Sequence, residues 1–316
     1  MSLKFLLEEL NIFGKCRQYR LPLWHCPQFL FLIMGIVIIL TALITYALGT
    51  RYFILDQGAV SLIVMVITII LFIITFSIVR GMEGLAEANK LKSEFINIVS
   101  HQLRSPLSNL KWASEVLISE KFGALKSKQK EYLKIFDENS DRMNELISDL
   151  LIVSRIDQGT LPLNKTKFSL GDLTRGLIDE LKILAESSNI EIRLEQPESL
   201  PDAFGDAKMI KIAVENLLDN AIRYIKEKGD VCIKLENRGK NLLFKIEDNG
   251  VGIPPDDQKH IFQKFFRSEN VLKYQTQGSG LGLHITKSII EKSGGKIWFK
   301  SQEGQGTTFW FTFPVK

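Results

Sequence analysis

His101 is the first residue whose placement calls for a chemical explanation. Leu91, Phe95, Ile98, Val99, Leu103, Pro106, Leu110, Ala113 and Leu117 recur at intervals of three and four, which marks one face of an amphipathic helix. At about 100° per residue, His101 falls roughly 140° from the centre of that stripe, on the solvent side. Ser105 lies one turn on and shares its face, and Pro106 removes an amide donor just past the histidine. An exposed imidazole can attack an electrophile with one ring nitrogen while the other holds or releases a proton.

Three further groups carry chemistry. In ENLLDNAIRY, Asn216 and Asn220 stand one helical turn apart, and their amide oxygens suit magnesium, a hard cation that keeps part of its water shell. GSGLGL, from Gly278 through Ser279, Gly280, Leu281 and Gly282 to Leu283, opens a helix predicted to begin near His284. Backbone amides at such a start cradle phosphate without any side chain. DNGVGIP sets Asp248 beside Gly250 and Gly252, where backbone can come close to a flat ligand.

These groups need elements to hold them. The His101 helix is followed, after KFGALKSK, by a second amphipathic run with Phe136, Met143, Leu146, Leu150 and Val153 on its apolar face. The pair predicts a helical hairpin with a coiled-coil-like seam over residues 80–160, and two hairpins would form a dimeric four-helix bundle. From residue 168 the pattern mixes helix and strand. VCIKLENRGKNLLFKIED predicts two strands around a turn, and KIWFKSQEGQGTTFWFTFPV a closing pair. TLPLNKTK, with Pro162, predicts a hinge at 161–167 between the two parts.

Residues 29–48 and 59–79 contain no Asp, Glu, Lys or Arg. Each run is long enough, as a helix, to cross a bilayer. They are predicted transmembrane helices joined by a short extracytoplasmic loop at 49–58. Lys4, Lys15, Arg17 and Arg20 on one flank and Arg80, Lys90 and Lys92 on the other place the 1–28 tail and the C-terminus in the cytoplasm. Leu3, Leu6, Leu7 and Leu10 suggest an interfacial helix in that tail. Cys16, His25 and Cys26 match no zinc spacing and Cys232 sits in a strand-like alternation, so neither a structural metal nor a disulfide is expected. Forty Lys plus Arg against 36 Asp plus Glu leave a net charge of +4, which gives no electrostatic case for direct nucleic-acid binding.

FINIVSHQLRSPL resembles the phosphoacceptor box of bacterial sensor histidine kinases, with Gln102 and Ser105 standing where that family usually has Glu and Thr. ENLLDNAIRY, DNGVGIP, IFQKFFR, GSGLGL and the Gly304, Gly306, Thr307 turn follow in family order and resemble its ATP-binding domain, a relative of the gyrase and Hsp90 ATPases. The resemblance implies a Bergerat-type α/β sandwich at 168–316, with helices on one face of a mixed sheet. It implies that Asn216 and Asn220 hold Mg2+, that Arg223, Tyr224 and Arg267 approach the nucleotide, and that Asp248 meets the adenine amine beside Gly250 and Gly252. Phe262, Phe265 and Phe266 are read as a Phe-rich box or as plain core.

The implied reaction is transfer of the ATP γ-phosphoryl group to His101, then to an aspartate in the receiver domain of a response regulator. Gln102 can accept a hydrogen bond from the imidazole but cannot take its proton. Ser105 keeps a hydroxyl where the family orients water for phosphatase chemistry. The implied protein is a homodimer in the inner membrane, and another membrane protein is a candidate signal source, because the short external loop holds no sensing domain. Two rivals stand beside this reading. A hydrolytic ATPase needs a Glu at the slot that Asn216 fills, and Glu215 lies about 100° round the helix. A catalytically weak adaptor would bind ATP and dimerise with another kinase, and Gln102 is its one support.

Overall fold

The computed structural model describes residues 27–52, 57–121, 123–268 and 278–315. The amphipathic Leu3–Leu10 pattern, the Cys16, His25, Cys26 trio and the flanking charges before residue 27 lie outside them. The chain divides into two compact units, Met1–Val99 and Ser100–Lys316.

In the first unit, α1 (Pro27–Tyr52) and the opening part of α2 (Gln57–Ile118) are both long and apolar enough to cross a membrane. Ile39, Leu43 and Leu62 are each about three-fifths exposed. A Cβ on Gly49 would stand 2.7 Å from Val60 Cγ1, and Val60 is buried, so a glycine at this position permits a close helix–helix approach. Further along, the rings of Phe31 and Phe72 meet edge-on at 6.4 Å. Both helices run beyond the charge-free stretches, and α2 continues unbroken through His101 and Pro106 to Ile118.

In the second unit, the end of α2 and α3 (Ser127–Asp157) form the expected hairpin. Lys111 pairs with Asp141, and the Ser114 hydroxyl donates to Asp137 Oδ1 at 3.4 Å. The buried positions differ from the expected seam. Ser100, Leu107 and Ser114 on α2, and Ser140, Ile147 and Ser154 on α3, are buried at seven-residue spacing. The predicted stripe residues Leu103, Leu110, Leu117 and Met143 are instead more than two-fifths exposed. Small serines let the two helices of one hairpin come together, and the large apolar groups then point elsewhere.

The remainder is a two-layer α/β fold. β1 (Thr166–Phe168) pairs antiparallel with β3 (Ala203–Gly205), and the main sheet has the order β2 (Ile190–Glu195), β4 (Gly229–Asn237), β5 (Asn241–Asp248), β7 (Gly306–Pro314), β6 (Lys296–Gln302). Only β2–β4 is parallel, so the sheet is mixed. Alternation along β4 and β7 buries Val231, Ile233, Leu235, Phe309, Phe311 and Phe313 on one face. α4 (Leu170–Ser187), α5 (Ala207–Arg223) and α7 (Gly282–Lys292) contribute Leu177, Leu217 and Ile289 to the same core, beside a one-turn α6 (Pro255–Gln258). Phe244 and Phe311 stack at 4.5 Å in its centre.

The segment predicted as a hinge is largely built into this domain. Leu161 is buried in its core, Thr166–Phe168 forms β1, and the Asn164 amide donates to Asp206 Oδ2 at 2.8 Å. Asp206 also caps α5, its Oδ1 accepting from the amides of Lys208 and Met209. A residue that satisfies a helix start and a loop amide together leaves little slack in this segment, and the turn out of α3 before it is closed by Gly159 at φ +67°.

Candidate nucleotide site

A cavity of about 560 Å³ opens between α5, the Asp248 loop and the glycine loop before α7. That volume falls in the range of small-molecule sites. Ile246, Ile253, Ile261 and Phe309 give it an apolar floor suited to a flat ring. Asn216, Asn220, Arg223, Tyr224, Asp248 and Gly252 line it, as do Arg267, Gly278, Ser279, Gly280, Gly282, Leu283 and Thr307.

Asp248 closes one end of the cavity. Its Oδ1 accepts from the amides of Gly250 (2.9 Å) and Thr307 (3.2 Å), while its Oδ2 takes no hydrogen bond among the described residues. Burial pushes this carboxyl up to about 6 despite those two amides. The site therefore holds one unpaired carboxylate oxygen beside an apolar floor, an acceptor for a hydrogen-bond donor on a flat ligand.

The glycines are also required by the packing of the protein itself. A Cβ on Gly250 would stand 2.4 Å from the Tyr224 carbonyl oxygen, and one on Gly252, at φ +66°, would stand 2.0 Å from that of Gln302. Both positions are glycine because the loop is wedged between α5 and the β6–β7 turn, and the Tyr224 carbonyl accepts from the Val251 amide at 3.0 Å. Gly250 itself does not line the cavity.

At the other end, α5 turns Asn216 and Asn220 to one face. The Asn216 Nδ2 donates to the Gly282 carbonyl at 3.5 Å, whereas Asn220 makes no side-chain hydrogen bond among the described residues and keeps its amide toward the cavity. Arg223 is held by Asp219 one turn back, with Nε 2.6 Å from Oδ2. Tyr224 is largely buried beside it, and desolvation raises its phenol above the ordinary range.

In the glycine loop, Ser279 Oγ accepts from the Leu281 amide at 3.2 Å. Leu281 is a correction: its side chain is buried in the core and its amide is spent on Ser279, so it does not face the cavity. α7 begins at Gly282, two residues before the predicted His284. Of the Phe-rich box, Phe262 packs edge-on to Phe299 and Phe309, Phe266 lines the cavity, and Phe265 is exposed with φ +62°.

His101, Gln102 and Ser105 are all exposed on α2, as the stripe predicts, and none of them lines the cavity. The wall facing the glycine loop comes from α3 instead, through Glu138, Asp141, Arg142, Glu145 and Asp149. Sequence patterning had no means of finding these, since each is an ordinary polar position on an amphipathic helix.

Residues 91–159 match the model of the His Kinase A (phospho-acceptor) domain, and residues 205–316 that of the Histidine kinase-, DNA gyrase B-, and HSP90-like ATPase. The chain is 35% identical over 229 residues to the circadian input-output histidine kinase CikA of Synechococcus elongatus, covering 72% of this chain and 30% of that protein. It is 32% identical over 238 residues to the alginate biosynthesis sensor protein KinB of Pseudomonas aeruginosa, covering 75% and 39%. The full-length crystal structure of ShkA in complex with AMPPNP aligns with a TM-score of 0.59 at 26% identity, over 71% of this chain and 46% of that one. The matched part is thus less than half of each of these three proteins. With a phosphoacceptor hairpin followed by this ATPase fold, and with named histidine kinases as its relatives, the chain belongs to the sensor histidine kinases of two-component systems.

Proposed function

We propose that this chain is a membrane-anchored homodimeric kinase that phosphorylates its own His101 from ATP and passes the phosphoryl group to an aspartate on a response-regulator receiver domain. The observation that carries the reading is the pairing, in one chain, of an exposed histidine with a cleft whose carboxylate, apolar floor and glycine loop match the three parts of ATP. Asp248 would accept from the adenine amine, the isoleucine floor would cover the ring, and the backbone at Gly278, Ser279, Gly280 and Gly282 would meet the phosphates. Asn220, with Asn216, would hold magnesium, which when bound offsets triphosphate charge.

In the transfer, a lone pair on an imidazole nitrogen of His101 attacks the γ-phosphorus, the bond to the β-bridging oxygen breaks, and ADP leaves. Gln102 orients the ring through its amide oxygen, and the ring proton is lost to water because an amide is not a base at neutral pH. Ser105 is placed one turn on to orient water for removing phosphate from the regulator. Since His101 lies outside the cleft, the ATP-binding layer must leave α3 and re-dock near α2 during turnover.

The exposed stripe of Leu103, Leu110, Leu117 and Met143 supports a dimer, because a hairpin does not keep such groups in water without a second copy. The charge-free helices and the basic residues flanking them support an inner-membrane position with both termini cytoplasmic, and another membrane protein as the source of signal.

The test is incubation with γ-labelled ATP and magnesium beside His101→Ala and Asn220→Ala. Acid-labile, alkali-stable label that is lost in both variants is the expected outcome. Nucleotide binding without label would favour the adaptor, and label that survives His101→Ala would overturn the assignment of the phosphoacceptor.

A further inference from the structure

The glycine loop is already occupied by a protein carboxylate. Ser279 Oγ lies 3.0 Å from Asp149 Oδ2, a hydrogen bond that spans 130 residues of chain and joins the phosphate end of the cleft to helix α3. The donor capacity of the hydroxyl is used up: its oxygen accepts from the Leu281 amide, and its one proton goes to Asp149. A phosphate oxygen at this loop would have to take that proton from Asp149.

The rest of α3 reinforces the competition. Glu138, Asp141, Glu145 and Asp149 recur at intervals of three and four, so one helix face presents them together to the cleft; Lys111 pairs with Asp141 and the Arg223 charge acts on Glu145, while Asp149 has the Ser279 hydroxyl as its partner. A triphosphate brought to this wall meets like charge at close range. The contact is anchored beyond the cleft as well. Lys264, just before the residues that lead into the glycine loop, pairs with both oxygens of Asp157 at 2.5 and 2.6 Å, and Val153 of α3 is buried in the core of the ATP-binding layer. Burial pushes the Asp149 carboxyl up from its usual range while the Ser279 hydroxyl pulls it down. A charged Asp149 thus depends on its partner, and losing Ser279 leaves it poorly solvated.

We propose that α3 acts as a competitive gate on the nucleotide cleft, in which the Asp149–Ser279 bond and a bound triphosphate exclude one another. The inference rests on the reading of the cleft as an ATP site. Loading the phosphates then breaks the bond between α3 and the glycine loop, which is the same motion that frees the ATP-binding layer to reach His101. The gate discriminates by phosphate, since the adenine end at Asp248 and the apolar floor is formed without α3.

The experiment uses the full chain in nanodiscs and measures equilibrium binding of AMPPNP and of adenosine by calorimetry. Asp149→Ala is expected to tighten AMPPNP about tenfold, the equivalent of one charged hydrogen bond released from competition, and to change adenosine less than twofold. Asp149→Asn keeps the size of the side chain, removes its charge and gives the same ordering with a smaller gain, should the alanine variant fold poorly. A paired Asp149→Cys, Ser279→Cys chain, with Cys16, Cys26 and Cys232 changed to Ser, is expected to lose AMPPNP binding when oxidised and regain it on reduction. An unchanged ratio of AMPPNP to adenosine affinity in both Asp149 variants, or full AMPPNP affinity in the oxidised pair, would overturn the gate. Asn220→Ala run alongside separates the two levels: wild-type AMPPNP affinity in that variant would overturn the ATP-site reading itself.

Discussion

Asp248 and Thr307 are joined by a 3.2 Å hydrogen bond from the Thr307 amide to the Asp248 carboxylate, across the paired ends of β5 and β7. The carboxylate at this end of the cleft is therefore held by the sheet as well as by the loop that follows it. With Gly250 filling the same oxygen, the other is left facing the cavity in a site that resists its ionisation.

That arrangement has a pH signature. A carboxyl held at about 6 in the folded chain, against about 3.9 unfolded, binds more protons folded than unfolded between those values. Stability falls as pH rises through this window and is lower by about 3 kcal/mol above it. Asp248→Asn keeps an oxygen for both amides and removes the charge. It is expected to raise Tm by about 5 °C at pH 8 and to make no difference at pH 3.5, read by scanning calorimetry. Adenosine binding to the native chain is expected to release a proton near pH 6, visible as a buffer-dependent heat.

Asp206 carries two duties, the cap of α5 and the clasp on Asn164. Asp206→Ala is expected to cost about 1–3 kcal/mol in denaturant unfolding, while Asp206→Ser, which restores a cap without reaching both partners, recovers only the helix portion of that loss. Full recovery by serine would show the Asn164 clasp to be idle.

Leu110 is half exposed on the single hairpin. Leu110→Glu places charge in the seam expected between two copies and should shift the full chain in nanodiscs or detergent toward monomer in analytical ultracentrifugation, with at least a tenfold weaker association. Trp112, which is more exposed but off the stripe, is the comparison position: Trp112→Glu is expected to leave association unchanged.

Because α2 runs without a break from Gln57 to Ile118, residues inserted within it rotate everything that follows. Two added after Glu83 turn His101 by about 200°, and four by about 40° net. The ratio of kinase to phosphatase activity is expected to change more with two than with four. Equal effects from both insertions would show that the helix does not transmit rotation.

Much of this protein is written locally. Charge-free runs of twenty residues give membrane-length helices, the three-and-four spacing from Leu91 to Leu117 gives the helix that turns His101 outward, and the alternation in VCIKL and TTFWFTF gives buried strands, because each depends only on which residues share a face. Asn216, Asn220, Asp248 and the glycine loop are each common patterns by themselves, and it is their order along one chain, behind a histidine-bearing helix, that singles them out.

What only the tertiary structure decided are the partners that come from afar. The sequence alone determined that Gly250 and Gly252 are glycines in a close approach, but the backbone they approach, at Tyr224 and Gln302, is set by how α5 and the β6–β7 turn meet. It showed a large apolar stripe, yet serines fourteen residues apart, with Leu107 and Ile147 midway between them, took the buried positions, because the smaller groups allow the helices of one hairpin to pack closely. It offered Pro162 as a hinge, and Asp206, more than forty residues away, tied that segment down. The pairing of Asp149 with Ser279 lies furthest from sequence: two ordinary polar residues 130 positions apart acquire a function only when α3 lies across the cleft, since hydrogen bonds are fixed by distance in space and the spacing of residues along a chain does not record it.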